Sequence, residues 1–265
     1  MRTPDEFMRR ATSGTSLATW ATHWRTNPEH VSDVFRASDL LHQIAEATHA
    51  CGDPGLQFDD TINTWHTVPN SGRINSSNPC SEYMFLDDSA CNLASINLLK
   101  FRRPDGSFDT DAYRHAVRVM FTAQEILVSR ASYPTEAIAK NSEDFRPLGL
   151  GYANLGALLM ASGLPYDSER GRAYAGAVTA LMTGEAYAQS ARLASIKGPF
   201  NGYAANREPM LAVMEKHASY VAKIGAHIPV AKNGARPNAF EAVVGAAADA
   251  WHEALTLGAE HGYRN

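Results

Sequence analysis

After Asp109, the apolar residues Tyr113, Val117, Met120, Phe121 and Leu127 recur at helical spacing, and this period most constrains the fold. It predicts a long amphipathic helix that closes near Ser132-Tyr133-Pro134. A further helix is expected from Ser168 to Gly198, and a last one from Pro237-Asn238, where Asn238 and Glu241 form a capping box. The last helix would bury Ala242, Val243, Ala246, Trp251 and Leu255. Between these, Leu148-Gly149-Leu150-Gly151 through Met160 is dense in small residues, which reads as a helix that approaches a neighbour closely. Upstream, a helix begins at Ser38 as N-cap, carries Leu40, Leu41, Ile44 and Ala45 on one face, and stops at Cys51-Gly52-Asp53-Pro54-Gly55. Residues 1–37 show no firm period, and residues 56–96 read as loops and short extended pieces. Ile96–Phe101 is expected to be a short strand, ended by the turn Arg102-Arg103-Pro104-Asp105-Gly106.

Composition narrows the function. The 265 residues are 45% apolar and 20% charged, as in an ordinary globular protein with one sizeable core. A net charge of −4 and the absence of a basic stripe argue against a nucleic-acid partner. No apolar run reaches the ~20 residues needed to cross a bilayer, and Asp5 and Glu6 stand where an export signal would be apolar. Three cysteines, Cys51, Cys80 and Cys91, make no CxxC pair, which argues for a reducing, cytoplasmic setting.

The chemistry concentrates in Asn75-Ser76-Ser77-Asn78-Pro79-Cys80-Ser81-Glu82, with Cys91 eleven residues beyond Cys80. Free cysteine usually behaves as a small buried hydrophobe. That reading suits Cys51, at the end of an amphipathic helix, but not Cys80, whose neighbours no apolar core would select. In an extended segment residues 78, 80 and 82 share a face, so an amide, a thiol and a carboxylate would converge on one small ligand. Cys91 lies in the polar, turn-like Asp87-Asp88-Ser89-Ala90-Cys91-Asn92, and could join the same site if the segment folds back. The Gly149-x-Gly151 and Gly156 cluster is read as packing, not a dinucleotide loop, because no strand precedes it. No HExxH pair, P-loop, Gly-x-Ser-x-Gly elbow or Asp-x-His-x-x-Gly cobalamin loop occurs.

Residues 75–98 as a whole resemble the active-site segment of ribonucleotide reductase large chains, and the short gap between Cys80 and Cys91 resembles the adenosylcobalamin-dependent class II enzymes. Further similar blocks are Asp53-Pro54-Gly55 with Phe58, Arg146-Pro147-Leu148-Gly149-Leu150-Gly151, Gly163-Leu164-Pro165-Tyr166-Asp167-Ser168, and His261-Gly262-Tyr263-Arg264-Asn265. The resemblance thins before residue 38. It implies that Cys80 carries a thiyl radical, Glu82 takes a proton from the ribose 3′-hydroxyl, Asn78 holds the substrate hydroxyls, and Cys91 is one half of a reducing pair. The other half lies upstream in the family, so a Cys51–Cys91 disulfide is the runner-up pairing.

The implied fold is α/β: part of a ten-stranded barrel spanning residues 38–265, with a central finger loop at about residues 75–90 and helices after residue 109 in its outer layer. Residues 1–37 are left unassigned. The implied cofactor is adenosylcobalamin, and the implied partners are a ribonucleoside di- or triphosphate, a thioredoxin-type or dithiol reductant, and the remainder of the reductase or a complementary chain. Family chains are several times longer, so the sequence reads as an internal piece. The alternatives are a class I-type fragment, or a non-catalytic helical remnant that works only with a second polypeptide.

Overall fold

A computed structural model describes residues 1–15, 17–24, 26–226 and 239–265. The chain divides into two compact units, Met1–His66 and Thr67–Asn265.

The first unit begins with β1 (Arg2–Thr3) and α1 (Asp5–Thr12), followed by an antiparallel hairpin of β2 (Thr19–Trp24) and β3 (Asn27–Arg36). The segment that showed no period is thus a helix and a hairpin. Trp20 of β2 sets its edge against Phe7 at 5.3 Å, and the Arg10 guanidinium lies 5.7 Å from the centre of the same indole. The next helix, α2 (Ala37–Cys51), starts one residue before the expected cap. Ser38 does not cap it: the Ala37 N–H donates to the Ala18 carbonyl at 2.9 Å, so the hairpin itself satisfies the start of the helix. Gly52, with φ of 83°, ends α2 in the left-handed conformation that glycine adopts without strain. β4 (Gln57–Phe58) pairs with β1, and α3 (Asp59–Thr64) closes the unit.

The second unit opens on a long polar segment and enters β5 (Asn92–Asn97). The expected strand at 96–101 lies four residues too late. Asn97 Oδ1 accepts the Leu99 N–H at 3.2 Å and turns the chain into a 3₁₀ segment, Leu98–Phe101. Then come α4 (Thr110–Val128), α5 (Glu136–Phe145), β6 (Leu148–Ala153), α6 (Leu155–Ala161), α7 (Glu169–Lys197), α8 (Tyr203–Ala226) and α9 (Ala239–His261). Side-chain caps at Asp109, Thr135 and Ser168 start α4, α5 and α7, accepting N–H groups of Ala112, Ile138 and Gly171. α4 ends earlier than expected because the Tyr133 hydroxyl donates to the Val128 carbonyl at 2.8 Å. The expected cap at Asn238 lies outside the described residues.

The glycine-rich stretch that read as a helix is the strand β6. Leu148, Leu150 and Tyr152 alternate with Gly149 and Gly151, a period of two. β6 pairs in parallel with β5 from Asn92↔Leu148 to Asn97↔Ala153. Among the described residues the strands form three two-stranded sheets, and none closes into a barrel. No described helix is long and apolar enough to cross a membrane.

The core of this unit lies between α4, α7 and α9. Gly184 of α7 lets the Trp251 indole sit where a Cβ would be 2.9 Å away. In the same layer Glu185 is fully buried and accepts hydrogen bonds from Arg114 and Arg118 of α4, each at 2.5 Å, and from Arg192 of α7 at 2.9 Å. Burial alone would raise its carboxyl pKa, but the hydrogen bonds from Arg118, Arg114 and Arg192 outweigh burial and hold it below the ordinary range.

A folded-state pKa below the unfolded value of about 4.3 makes Glu185 stabilising above that pH, a contribution lost as pH falls through the folded value. The melting temperature of the chain should therefore drop on acidification below about pH 4. Glu185→Gln, which leaves three guanidinium groups facing a neutral amide, should cost about 3–5 kcal/mol at pH 7 and flatten that acid limb; thermal melts between pH 3 and 7 measure both.

Candidate active site

The polar segment folds back on itself. Ser77 and Met84 form an antiparallel bridge, and between them Asn78-Pro79-Cys80-Ser81 makes a turn in which the Ser81 N–H donates to the Asn78 carbonyl at 3.1 Å. Proline at the second turn position fixes φ there, and Ser81 beyond it takes a left-handed φ of 64°. Residues 78, 80 and 82 are therefore not on one strand face as the sequence suggested, because the turn breaks the alternation. The turn puts Cys80 at its tip, exposed, with Glu82 exposed on the returning limb and Asn78 half-buried at the root. Asn78 Oδ1 accepts the Tyr83 N–H at 3.0 Å, so its carbonyl oxygen fastens the hairpin and its NH₂ group remains to donate outward.

The returning limb runs on to Cys91. Tyr83 donates its hydroxyl hydrogen to Ser89 Oγ at 2.8 Å, because the single Ser89 hydroxyl hydrogen goes to the Leu86 carbonyl at 2.6 Å. Ala90 N–H donates to Ser142 Oγ of α5 at 3.2 Å. Cys91 then stands at the entrance to β5, half-buried, with its thiol pushed up to about 11 by burial and by the Glu82 carboxylate nearby. The Glu82 carboxylate is thus close enough to Cys91 to act on its thiol electrostatically. All three cysteines are free thiols, so the alternative Cys51–Cys91 disulfide is not formed.

Two residues that sequence reasoning missed hold Cys91 in place. A Cβ on Gly149 would lie 2.6 Å from Cys91 Sγ and 2.5 Å from Leu93 Cδ2, so only glycine lets the thiol lie flat against β6. Gln124 of α4, 2% exposed, donates its Nε2 to the carbonyls of Asn92 at 2.7 Å and Gly149 at 3.0 Å, and accepts Asn92 Nδ2 at its own main-chain oxygen at 2.9 Å. The strand alternation of 148–152 was a legible signal for Gly149. For Gln124, a glutamine on the inner face of an amphipathic helix was the only signal. The face of the β5–β6 sheet that carries Cys91, Leu93 and Gly149 is open, with Leu93 64% exposed, whereas Ile96 on the other face is buried against the helices.

The two-stranded parallel sheet, the turn that exposes Cys80 and the half-buried Cys91 at the entrance to β5 are the local features to set beside known proteins. The family model for the ribonucleotide reductase barrel domain matches residues 2–265, so the similarity extends to the stretch before residue 38 where the sequence resemblance had thinned. The vitamin B12-dependent ribonucleotide reductase of Rhodopirellula baltica is 49% identical over 267 residues, covering 100% of this chain and 24% of that protein. That of Streptomyces coelicolor is 47% identical over 270 residues, covering 100% of this chain and 26% of that protein. A vitamin B12-dependent ribonucleoside-diphosphate reductase of Mycobacterium tuberculosis is 36% identical over 187 residues, 70% of this chain. The chain belongs to the ribonucleotide reductase family, within its barrel domain. It spans about a quarter of the length of the curated relatives it matches.

Gly149→Ala should lower stability by about 1–3 kcal/mol through overpacking and displace the Cys91 thiol. Gly151→Ala should cost far less, since its Cβ would meet Ser95 Oγ at an ordinary 3.8 Å. Paired urea titrations of the two variants make the comparison.

Proposed function

We propose that this chain supplies the radical-cysteine segment of a cobalamin-dependent ribonucleotide reductase, which converts ribonucleotides to 2′-deoxyribonucleotides. The observation that carries the reading is the hairpin: Cys80 at an exposed tip, with Glu82 and the half-buried Cys91 gathered on its returning side. In this reading β5 and β6 are two neighbouring parallel strands of the ten-stranded barrel, and the hairpin is its finger.

The relatives are named vitamin B12-dependent, which supports a cobalamin cofactor; in this reading it is adenosylcobalamin, the source of the radical. The concave region beside Cys91, lined by Leu127, Val128, Tyr133, Pro134 and Pro147 among others, has a volume of about 330 Å³, too small for a corrin ring, and no described residue is assigned to that ring.

The remaining chemistry falls to side chains of this chain. The Cys80 thiyl takes the hydrogen atom from ribose C3′, becoming a thiol. Glu82 accepts the 3′-hydroxyl proton, a contribution typically worth ~10²–10⁴ in rate. The Asn78 NH₂ group donates to the substrate hydroxyls while its carbonyl oxygen holds the hairpin. As the 2′-hydroxyl leaves as water, Cys91 and a partner thiol from sequence outside this chain deliver two electrons and become a disulfide. Cys80 then returns its hydrogen atom to C3′ and is again a thiyl. A thioredoxin-type dithiol would reduce the disulfide. The cysteine that opens the cycle must be accessible and the one that reduces must be held still, and the two thiols here differ in that sense.

A chimera in which this chain replaces the matching segment of the Rhodopirellula relative should form deoxyribonucleotides from ribonucleoside di- or triphosphates with adenosylcobalamin and dithiothreitol. Cys80→Ser in that chimera should abolish turnover, and Glu82→Gln should slow it ~10²–10⁴-fold. Turnover that survives Cys80→Ser would overturn the assignment. The isolated chain should self-associate, because Leu93, Ile126 and Leu127 are more than half exposed; a strictly monomeric chain by light scattering would refute that.

A further inference from the structure

We propose that Tyr83 and Ser89 form a clasp that positions the Cys91 thiol relative to the hairpin tip. The inference rests on the reading of Cys91 as a reducing thiol, but adds positioning residues that the reaction scheme does not require. Three observations carry it. Tyr83 is fastened at both ends, its backbone N–H to Asn78 Oδ1 at 3.0 Å and its hydroxyl to Ser89 Oγ at 2.8 Å, so it links the root of the tip turn to the approach of Cys91. Ser89 is fixed in turn by its 2.6 Å bond to the Leu86 carbonyl, which commits its hydrogen and obliges Tyr83 to be the donor. Only Ala90 separates this clasp from Cys91, and the Ala90 N–H is itself held by Ser142 of α5.

The direction of the Tyr83–Ser89 hydrogen bond has a chemical consequence. With its own hydrogen committed, the phenol oxygen turns lone pairs toward its surroundings, and Cys91 is among the groups that interact with it electrostatically. On the same limb Glu82 adds a negative charge. Among the described residues that line the region around Cys91, α5 presents Ser142, β6 presents Gly149 and the loop after α4 presents Tyr133, none of them a cation. A thiolate at Cys91 would be desolvated in this half-buried seat and would face the Glu82 carboxylate, so a clasp that holds Cys91 in the seat keeps the thiol in its S–H form.

The test measures the pH dependence of iodoacetamide alkylation of Cys91 in the full chain carrying Cys51→Ser and Cys80→Ser, so that one thiol reports. The parent should titrate near 11. Tyr83→Phe, which keeps the ring, and Ser89→Ala should each lower the midpoint by about one unit, equal to about tenfold faster alkylation at pH 8. Ser89→Thr, which keeps the hydroxyl, should restore the parent profile. Cys51 alkylation, read in a Cys80→Ser, Cys91→Ser background, should be unchanged by Tyr83→Phe, since Cys51 lies in the other compact unit. Unchanged Cys91 profiles in both Tyr83→Phe and Ser89→Ala would overturn the clasp, as would a shift in Tyr83→Phe alone or an equal acceleration at Cys51. None of these measurements depends on turnover, so failure of the clasp and failure of the reductase reading remain distinguishable.

Discussion

Two consecutive buried side chains on α4 govern the site. Gln124 ties β5 to β6 by donating to one carbonyl of each, at Asn92 and Gly149. Glu125, next to it, shares the Arg146 Nε–H between its two carboxylate oxygens, accepts Arg146 Nη2 at its main-chain carbonyl at 2.9 Å, and accepts Arg264 Nε at 2.8 Å. Arg146 is the left-handed C-cap of α5, with φ of 50°, and stands two residues before β6 begins. Glu125 thus fixes the end of the helix that delivers β6, and Gln124 fixes the strand once it arrives. Each hydrogen bond is worth only about 1 kcal/mol net, but losing one partner would leave a buried guanidinium or amide unsatisfied, which costs considerably more.

From this anchor the arrangement around Cys91 follows. The strand entrance is set by Gln124, the flat floor by Gly149, and the approach by Ser89 and Ser142. The polar hairpin contributes no core and needs little, because its turn is closed locally by Pro79, the Asn78 amide and the Ser77–Met84 bridge. Rigid walls around one thiol and an exposed tip for the other divide positioning from access.

Much of this was legible in the sequence where local chemistry decides structure. Asp109, Ser168 and Gly198 mark helix ends with side chains or backbone freedom that act within a few residues, and the structure obeys them. The polar character of residues 75–91 foretold their exposure, since Asn78, Cys80, Glu82 and Cys91 are all accessible or half-buried. Errors arose where a distant partner overrode local preference. Ser38 lost its cap role to a carbonyl of the hairpin, and the stretch 148–153 became a strand because β5 offered it a parallel partner. The assumption of an extended 78–82 segment failed because Pro79 starts a turn as readily as it stiffens a strand.

Hydrogen bonds hold the site's framework, although Gln124 Oε1, Arg146 Nη1 and Asn265 Oδ1 are buried without a hydrogen-bond partner among the described residues, while the apolar surface beside it is open. Leu93 on the open sheet face, and Ile126 and Leu127 on α4, are 64%, 60% and 51% exposed, whereas Gln124 and Arg146 between them are almost fully buried. Apolar surface left in water forgoes about 25 cal/mol per Å², and a two-stranded sheet with unpaired edges is marginal by itself. The hydrogen bonds at Ala90 and Gln124 hold the approach to Cys91, while Leu93, Ile126 and Leu127 stay open to solvent. Hydrogen-bonded positioning is local and survives in a part, but hydrophobic closure belongs to the whole. The site can therefore be better defined than the stability of the chain that carries it.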